Sequence, residues 1–257
     1  MRWSRVVAVA RRHYWVVKRS PHRTFDVLLW PVVDALTFGS LALAYQRGSS
    51  LAYVLAGIVL WHVMYQAQIA LSTGFMEETW SRNLMSLMAT PVREVEYVAG
   101  VALFGLVKLV IGVGAVAATA AVGYSFDVTT LGPGLLLVAA LLMLAGWLIA
   151  LLVIGLVLRY GSGAEALAWG VLFAVMPLSG TFFPVEALPG PLQQLAAALP
   201  TTHAFEAARV LVDGDRFPGR ELVTSALLTV VLAVAAFAYA VAMLRVFRRR
   251  GLVTRYS

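Results

Sequence analysis

Long apolar runs constrain this chain more than any other feature. Six of them recur, at roughly 25–46, 51–75, 98–124, 131–158, 165–183 and 222–245. An apolar helix needs about 20 residues to cross the hydrocarbon core of a bilayer, because each residue advances it by about 1.5 Å. The runs therefore predict an all-α polytopic membrane protein, a single domain over 1–257 with six transmembrane helices. A hydrophobic content of 61% and a charged content of 13% agree with this class.

The basic residues are unevenly distributed around the predicted spans. Of the 20 Lys and Arg, fifteen lie at the two chain ends and in the loops after the second and fourth spans. Cytoplasmic flanks of membrane helices carry an excess of Lys and Arg. We therefore expect both termini, including the tail 246–257, to be cytoplasmic. The net charge of +7 then reflects membrane orientation, and no nucleic-acid partner is expected.

The first 23 residues combine basic and apolar positions at helical spacing. Trp3, Val6, Tyr14 and Val17 recur along one side, whereas arginines occupy another. This pattern predicts an amphipathic helix over 1–23 that lies at the inner interface of the membrane. A solvated basic tail is the alternative. The basic region is too long for a cleavable signal peptide.

The motifs of several chemistries are missing from the sequence. The chain has no cysteine and therefore no disulfide or thiolate metal site. It has no GxxxxGK[ST] phosphate loop, and its four histidines are scattered. We expect no catalytic residue, no metal and no cofactor in this chain. Energy for any work must come from a gradient or from another subunit.

Two ionisable residues lie inside predicted spans. Asp34 and Lys108 each fall about ten residues along a span that starts at the inner face, near the midplane. Because a lone charge at that depth is costly, we hypothesise that they form an ion pair between the first and third spans. Alternatively, Lys108 reaches the inner interface, and Asp34 is protonated or faces water. A proton-relay role is a further alternative.

The loop over 77–97 carries a second amphipathic pattern. Two glutamates mark the point where the second span leaves the membrane, apolar side chains then recur at helical spacing, and a proline stops the helix. Such a short helix is suited to dock into a cleft of a soluble partner, although an ordinary interfacial connector is the alternative. The candidate docking residues are Glu77, Glu78, Trp80, Arg82, Leu84, Leu87 and Pro91.

The stretch between the last two apolar runs holds five of the 10 prolines. Pro184 ends the fifth run, and Pro191 and Pro200 bound two short helices. Neither helix is long enough to span a membrane, so we expect a re-entrant helical hairpin over 184–211 on the outer side. Glu206 and Arg209 can pair across one turn of it. A loop lying on the outer leaflet is the alternative.

These two regions resemble the permease subunits of type-2 ATP-binding-cassette (ABC-2) exporters. The stretch 176–209 is similar to the family's SG-x-FFP, LP and P-x-x-H-x-x-x-x-x-R pattern. The loop 77–97 is similar to its acidic start, L-x-x-L-x-x-x-P and following aromatic residue. The resemblance gives the hairpin the role of an external gate, whose residues are Phe182, Phe183, Pro184, Leu188, Pro189, Pro200, His203 and Arg209.

The resemblance also implies partners. A separate ATPase subunit, carrying ATP and Mg, would bind the coupling helix of the loop 77–97. Two permease subunits, expected as a homodimer, would pair in contact with membrane lipids in a bacterial plasma membrane. The substrate would be a small lipophilic drug or antibiotic, a lipid or a lipid-linked glycan, moved outward. The alternative function is a gradient-driven transporter that uses Asp34 or Lys108; a membrane-embedded enzyme is a third possibility.

Overall fold

The computed structural model describes residues 2–44, 50–80, 90–161, 166–214 and 216–249. Within these ranges the chain forms α-helices and two single 3₁₀ turns, Val128–Leu131 and Val185–Ala187, with no strand. This confirms the all-α class. The helices are α1 (Trp3–Lys18), α2 (Pro21–Ala44), α3 (Ser50–Trp80), α4 (Glu94–Tyr124), α5 (Gly134–Tyr160), α6 (Ala166–Leu178), α7 (Gly190–Ala197), α8 (Pro200–Asp213) and α9 (Gly219–Arg249).

Five helices in the described ranges are long and apolar enough to cross a membrane: α2, α3, α4, α5 and α9. They correspond to five of the six predicted spans. The run at 165–183 instead forms the 13-residue helix α6, which extends about 20 Å at 1.5 Å per residue. It is shorter than its run because the chain leaves helical geometry after Leu178. The count of six spans stays a prediction.

Helix α3 lies at the centre of the fold. It packs against α2, α4, α5, α6 and α8, and its apolar residues are spread around the whole helix with no separate polar face, as expected of a helix that is surrounded by others. The largest core joins α3 to α5, α6, α8 and the start of α9. Its buried residues are Leu60, Trp61, Met64, Ile69, Val138, Leu142, Ile149, Leu172, Ala204, Phe205, Ala207, Ala208 and Leu222.

A glycine brings α3 and α5 close together. A Cβ placed on Gly146 would lie 2.5 Å from the carbonyl oxygen of Met64 and 3.1 Å from the Cβ of Ala67. Small residues at helix crossings allow this approach, which gives membrane helices their van der Waals attraction. The glycine therefore sets the distance between the two helices.

The predicted outer hairpin forms two short helices, α7 and α8. Helix α8 buries Thr201, Ala204, Phe205 and Ala208, and packs against α3, α5 and α9. It is thus part of the helix bundle rather than a loop beside it. In helix α7 the leucines are exposed, Leu195 to 59%, and the buried residue is the small Ala196.

The N-terminal helix is confirmed, with a different buried face. Val6, Val9 and His13 are buried, and α1 packs on α4. Trp3 and Tyr14, which the sequence placed on the same side as Val6, are exposed. The reason is that α1 has a protein neighbour, α4, which covers Val6, Val9 and His13; its position at the membrane interface stays a prediction.

The carboxylate of Glu96 ties the start of α1 to the start of α4. It is buried and accepts hydrogen bonds from the backbone nitrogen of Arg2 at 2.7 Å and of Arg93 at 3.0 Å. The guanidinium of Arg5 adds an ion pair at 3.3 Å. Glu96 lies at the end of the loop 77–97 predicted to bind the ATPase, so α1 is anchored where that loop re-enters the bundle.

Gly146→Ala is expected to destabilise the protein by about 1–3 kcal/mol, because the added methyl overpacks the crossing with α3. The apparent melting temperature of the detergent-purified chain measures this. Gly114→Ala is the control: a Cβ there meets nothing within 4 Å, and alanine favours a helix over glycine by about 1 kcal/mol. If the melting temperature of Gly146→Ala equalled or exceeded that of Gly114→Ala, the result would contradict the close crossing of α3 and α5.

Glu96→Ala is expected to release α1 from α4, since two backbone amides lose their acceptor. The chain has no cysteine, so maleimide labelling of Val6→Cys reports the release. Val6 is 0% exposed and its neighbour Val7 is 41% exposed. We expect Val6→Cys to label slowly when Glu96 is present and nearly as fast as Val7→Cys after Glu96→Ala. Protection that persists in the double variant would show that Glu96 does not hold the helix.

Candidate functional site

The chain leaves helical geometry directly after α6, in the segment Ser179–Pro184, here called the hairpin loop. Gly180 has a φ of 63°, a left-handed conformation that glycine adopts without steric cost. A Cβ there would also lie 2.9 Å from the guanidinium of Arg209 and 2.8 Å from Val185. The glycine of the SG-x-FFP motif is therefore required both for the turn and for the space beside Arg209.

Arg209 of α8 holds the hairpin loop through its backbone. One terminal nitrogen of Arg209 donates to the carbonyl oxygens of Gly180 at 2.8 Å and Phe183 at 3.0 Å. It also donates to the hydroxyl of Tyr53 on α3 at 2.8 Å, and the guanidinium lies over the Tyr53 ring at 4.7 Å. The Tyr53 hydroxyl itself donates to Gly180. One cation thus joins the loop, α8 and α3.

Buried hydroxyl groups complete this attachment. The hydroxyls of Ser179 and Thr201 lie 2.6 Å apart, and the hydroxyl of Thr202 donates to the carbonyl of Leu178 at 3.2 Å. The start of α8 is itself held by α9, where Ser225 donates to the carbonyl of Pro200 at 2.8 Å. The Thr202 bond satisfies a carbonyl that the end of α6 leaves without a helical donor.

The predicted pairing of Glu206 with Arg209 is replaced by another arrangement. Glu206 lies 3.0 Å from Nδ1 of His203, whose Nε2 lies 3.0 Å from the carbonyl oxygen of Ala197. His203 thereby links α8 to the end of α7. Arg209 instead donates to the hairpin loop.

The predicted gate residues come together, but they differ in exposure. Phe182 and Phe183 are half-buried, and Pro184 and Pro189 are exposed. Leu188 is half-buried, and its carbonyl accepts from Gln193 at 2.8 Å. The Phe182 ring stacks on Phe38 of α2, with centroids 4.4 Å apart and planes 16° apart. Phe182 therefore joins the predicted gate to α2.

A cavity of about 420 Å³ lies beneath Phe182, between α2, α3 and α6. Its apolar lining also includes Ile58, Leu172 and Met176, and its ionisable lining consists of Asp34 and His62. Pockets for small molecules are typically apolar with a few polar groups that orient the ligand. Seven lining residues are aromatic: Trp30, Phe38, Trp61, Tyr65, Trp169, Phe173 and Phe182.

Within this lining, the partner that the structure gives Asp34 is His62. Oδ2 of Asp34 lies 3.5 Å from Nε2 of His62. The imidazole is buried, and its Nδ1 lies 3.1 Å from the carbonyl oxygen of Ile58. Because a carbonyl can only accept, Nδ1 donates and Nε2 is turned toward Asp34. Lys108 lies half-buried on α4, and its pairing with Asp34 stays a prediction.

The predicted coupling helix lies at the other end of α3. That helix continues to Trp80, and Pro91 is exposed just before α4. The side chains of Glu77, Glu78 and Trp80, together with Arg82, Leu84 and Leu87, lie outside the described residues, so their docking role stays a prediction. The described residues contain no group of three or more His, Cys, Asp or Glu that could hold a metal.

Several residues of the site were missed from the sequence. Tyr53, Phe38, Thr201 and His62 act through contacts with residues far along the chain. His62 alone had a local signal, since it is a polar side chain in the middle of an apolar span, and such residues usually face the protein interior. The hydroxyls of Tyr53 and Thr201 had none, because both lie near the ends of helices where polar residues are ordinary.

The fold and site together define a multi-pass membrane protein with a helical hairpin bonded into its bundle. The family model of the ABC-2 type transporters matches residues 4–212. The chain therefore belongs to the ABC-2 type transporters, and is a membrane-spanning subunit of an ABC-type transporter. Subunits of this family generally act with an ABC ATPase subunit. Comparison with curated proteins gives no match.

Arg209→Ala is expected to cost about 3 kcal/mol, because it leaves the carbonyls of Gly180 and Phe183 without their charged donor. Tyr53→Phe keeps the ring beneath the guanidinium and is expected to cost about 1 kcal/mol. Thermal unfolding of the detergent-purified chain measures both.

The control is Arg216→Ala, which removes the ion pair between Arg216 and Glu221. The Arg216 side chain is 53% exposed. Exposed pairs contribute at most about 1 kcal/mol. If Arg209→Ala had the same melting temperature as Arg216→Ala, the hydrogen bonds of Arg209 would not be what holds the hairpin loop.

Proposed function

We propose that this chain is the permease subunit of an ATP-driven exporter that moves an amphipathic substrate outward across a bacterial plasma membrane. Membership in the ABC-2 type transporters supports the ATP-driven part. The observation that supports a substrate path is the aromatic cavity directly beneath Phe182 of the hairpin loop. Its size and lining suit a small lipophilic molecule better than a long glycan chain.

Helix α3 is the element that would connect the ATPase to this path. It runs without interruption through 31 residues from Ser50 to Trp80, about 45 Å at 1.5 Å per residue. Tyr53 contacts the hairpin loop, and Ile58, Trp61 and His62 line the cavity. The other end enters the predicted coupling loop. A movement imposed there is transmitted along a helix that is packed on all sides.

Two copies would pair with the cavities facing a shared path, with both termini and the coupling loops on the cytoplasmic side. Side chains on the open rim of the cavity support this arrangement: Trp30 is 52% exposed and Phe173 is 64% exposed. Exposed apolar surface of this kind suits lipid or a second subunit. The pair is expected to be a homodimer, in which the second permease subunit is identical to the first.

The test is co-purification with an ABC ATPase subunit from the same organism, followed by transport in vesicles. We expect Glu77→Gln with Trp80→Ala to weaken ATPase capture by about tenfold or more, as removal of a central aromatic contact does in other interfaces. The control is Glu186→Gln, an exposed glutamate next to the hairpin loop, which should capture the ATPase normally.

Transport in the same vesicles decides between ATP and a gradient. We expect substrate movement only with ATP and the ATPase present. Movement driven by a proton gradient with no ATPase would refute the proposal in favour of the gradient-driven alternative.

A further inference from the structure

The cavity combines aromatic faces with a single carboxylate. Of its described lining residues, Asp34 is the acidic one, and none is Lys or Arg. The face of an aromatic ring is electronegative and attracts a cation within about 6 Å of its centroid. The carboxyl group of Asp34 adds a negative charge to the same wall when it is ionised, and a cation bound beside it favours the ionised form. In surroundings of low dielectric this attraction is stronger than in water.

Asp34 is placed so that a bound molecule can reach it. Its side chain is 37% exposed, although it belongs to an apolar helix near the middle of the predicted span. His62 is turned toward it because Nδ1 is engaged with the Ile58 carbonyl. Tyr65 and Trp169 continue the wall beside His62. The ring centroids of His62 and Tyr65 are 5.8 Å apart, and those of Tyr65 and Trp169 are 6.0 Å apart.

An anion would meet the carboxylate and the negative ring faces together. A neutral lipophile would gain contact with the rings but nothing from Asp34. An organic cation gains from both, because the described lining holds no Lys or Arg to offset the charge of an ionised Asp34. The charge pattern of the wall therefore discriminates between molecules of equal size and opposite sign.

We propose that the cavity binds lipophilic organic cations, with the aromatic faces around the apolar body and Asp34 beside the positive charge. This inference rests on the proposed function, because it names the class of substrate that the exporter moves.

The first test is equilibrium binding of tetraphenylphosphonium and tetraphenylborate, a cation and an anion of the same shape, to the detergent-purified full chain. We expect the cation to bind at least about tenfold more tightly than the anion. Asp34→Asn should remove most of that preference, and Asp34→Glu, which restores the charge, should recover it. Equal binding of the two ions to the unmodified chain, or a preference unchanged by Asp34→Asn, would overturn the proposal.

The second test separates the contribution of the aromatic rings to cation binding from that of apolar surface in general. Trp30→Leu keeps an apolar side chain at the cavity but removes its ring, and should weaken binding of the cation severalfold more than that of the anion. Trp3→Leu is the matched control, since Trp3 is also exposed, at 61%, but lies on α1 outside the cavity. Equal effects of the two variants would overturn the role of the rings.

The third test separates this inference from the proposed function. Vesicles that contain the chain and its ATPase are supplied with either ion, and ATP-dependent movement is measured. Movement of the cation that Asp34→Asn abolishes supports both. Movement of the anion but not of the cation overturns the substrate class and leaves the exporter standing. ATP hydrolysis without movement of either ion, together with selective binding of the cation, overturns the exporter and leaves the cation site standing.

Discussion

Inside a membrane, a backbone that leaves helical geometry must find hydrogen-bond partners within the protein, because lipid offers none. This chain meets that constraint after α6, where the hairpin loop exposes the carbonyls of Gly180 and Phe183. Arg209 and Tyr53 provide the donors. The position of α8 depends on this arrangement, since α8 carries Arg209. So does the cavity, since Phe182 is held above it by the same loop.

The second organising element is α3. Its apolar residues bury it among five other helices, and its polar residues, His62, Gln66, Gln68 and Ser72, are buried with them. A polar group within a membrane helix is tolerated when protein surrounds it. Helix α3 therefore contacts the hairpin loop at one end and reaches the predicted coupling loop at the other. Between them it places His62 in the cavity wall. The central position of α3 gives the cavity a rigid wall.

Most of the helices could be predicted because an apolar run of spanning length has few alternatives in a bilayer. The outer hairpin was predictable for a similar reason: Pro184, Pro191 and Pro200 divide the chain into pieces too short to span. The length of α6 was not, since the run was expected to stay helical through Phe182 and Phe183 until Pro184 breaks it. The helix ends where Gly180 adopts a left-handed conformation. The Gly180 carbonyl then accepts a hydrogen bond from Arg209, which lies 29 residues further along the chain.

Residue types along the chain determined the class of the protein, the family to which it belongs, and the place of its hairpin. Hydrophobicity and proline act locally, so the order of residues is enough to decide these features. The tertiary structure alone decided which side chains meet. Depth alone suggested that Asp34 pairs with Lys108, and that pairing stays a prediction; the contact that the structure shows for Asp34 is with His62. Depth in a membrane fixes one coordinate of a side chain; its partner depends on how each helix is rotated and which neighbour it packs against.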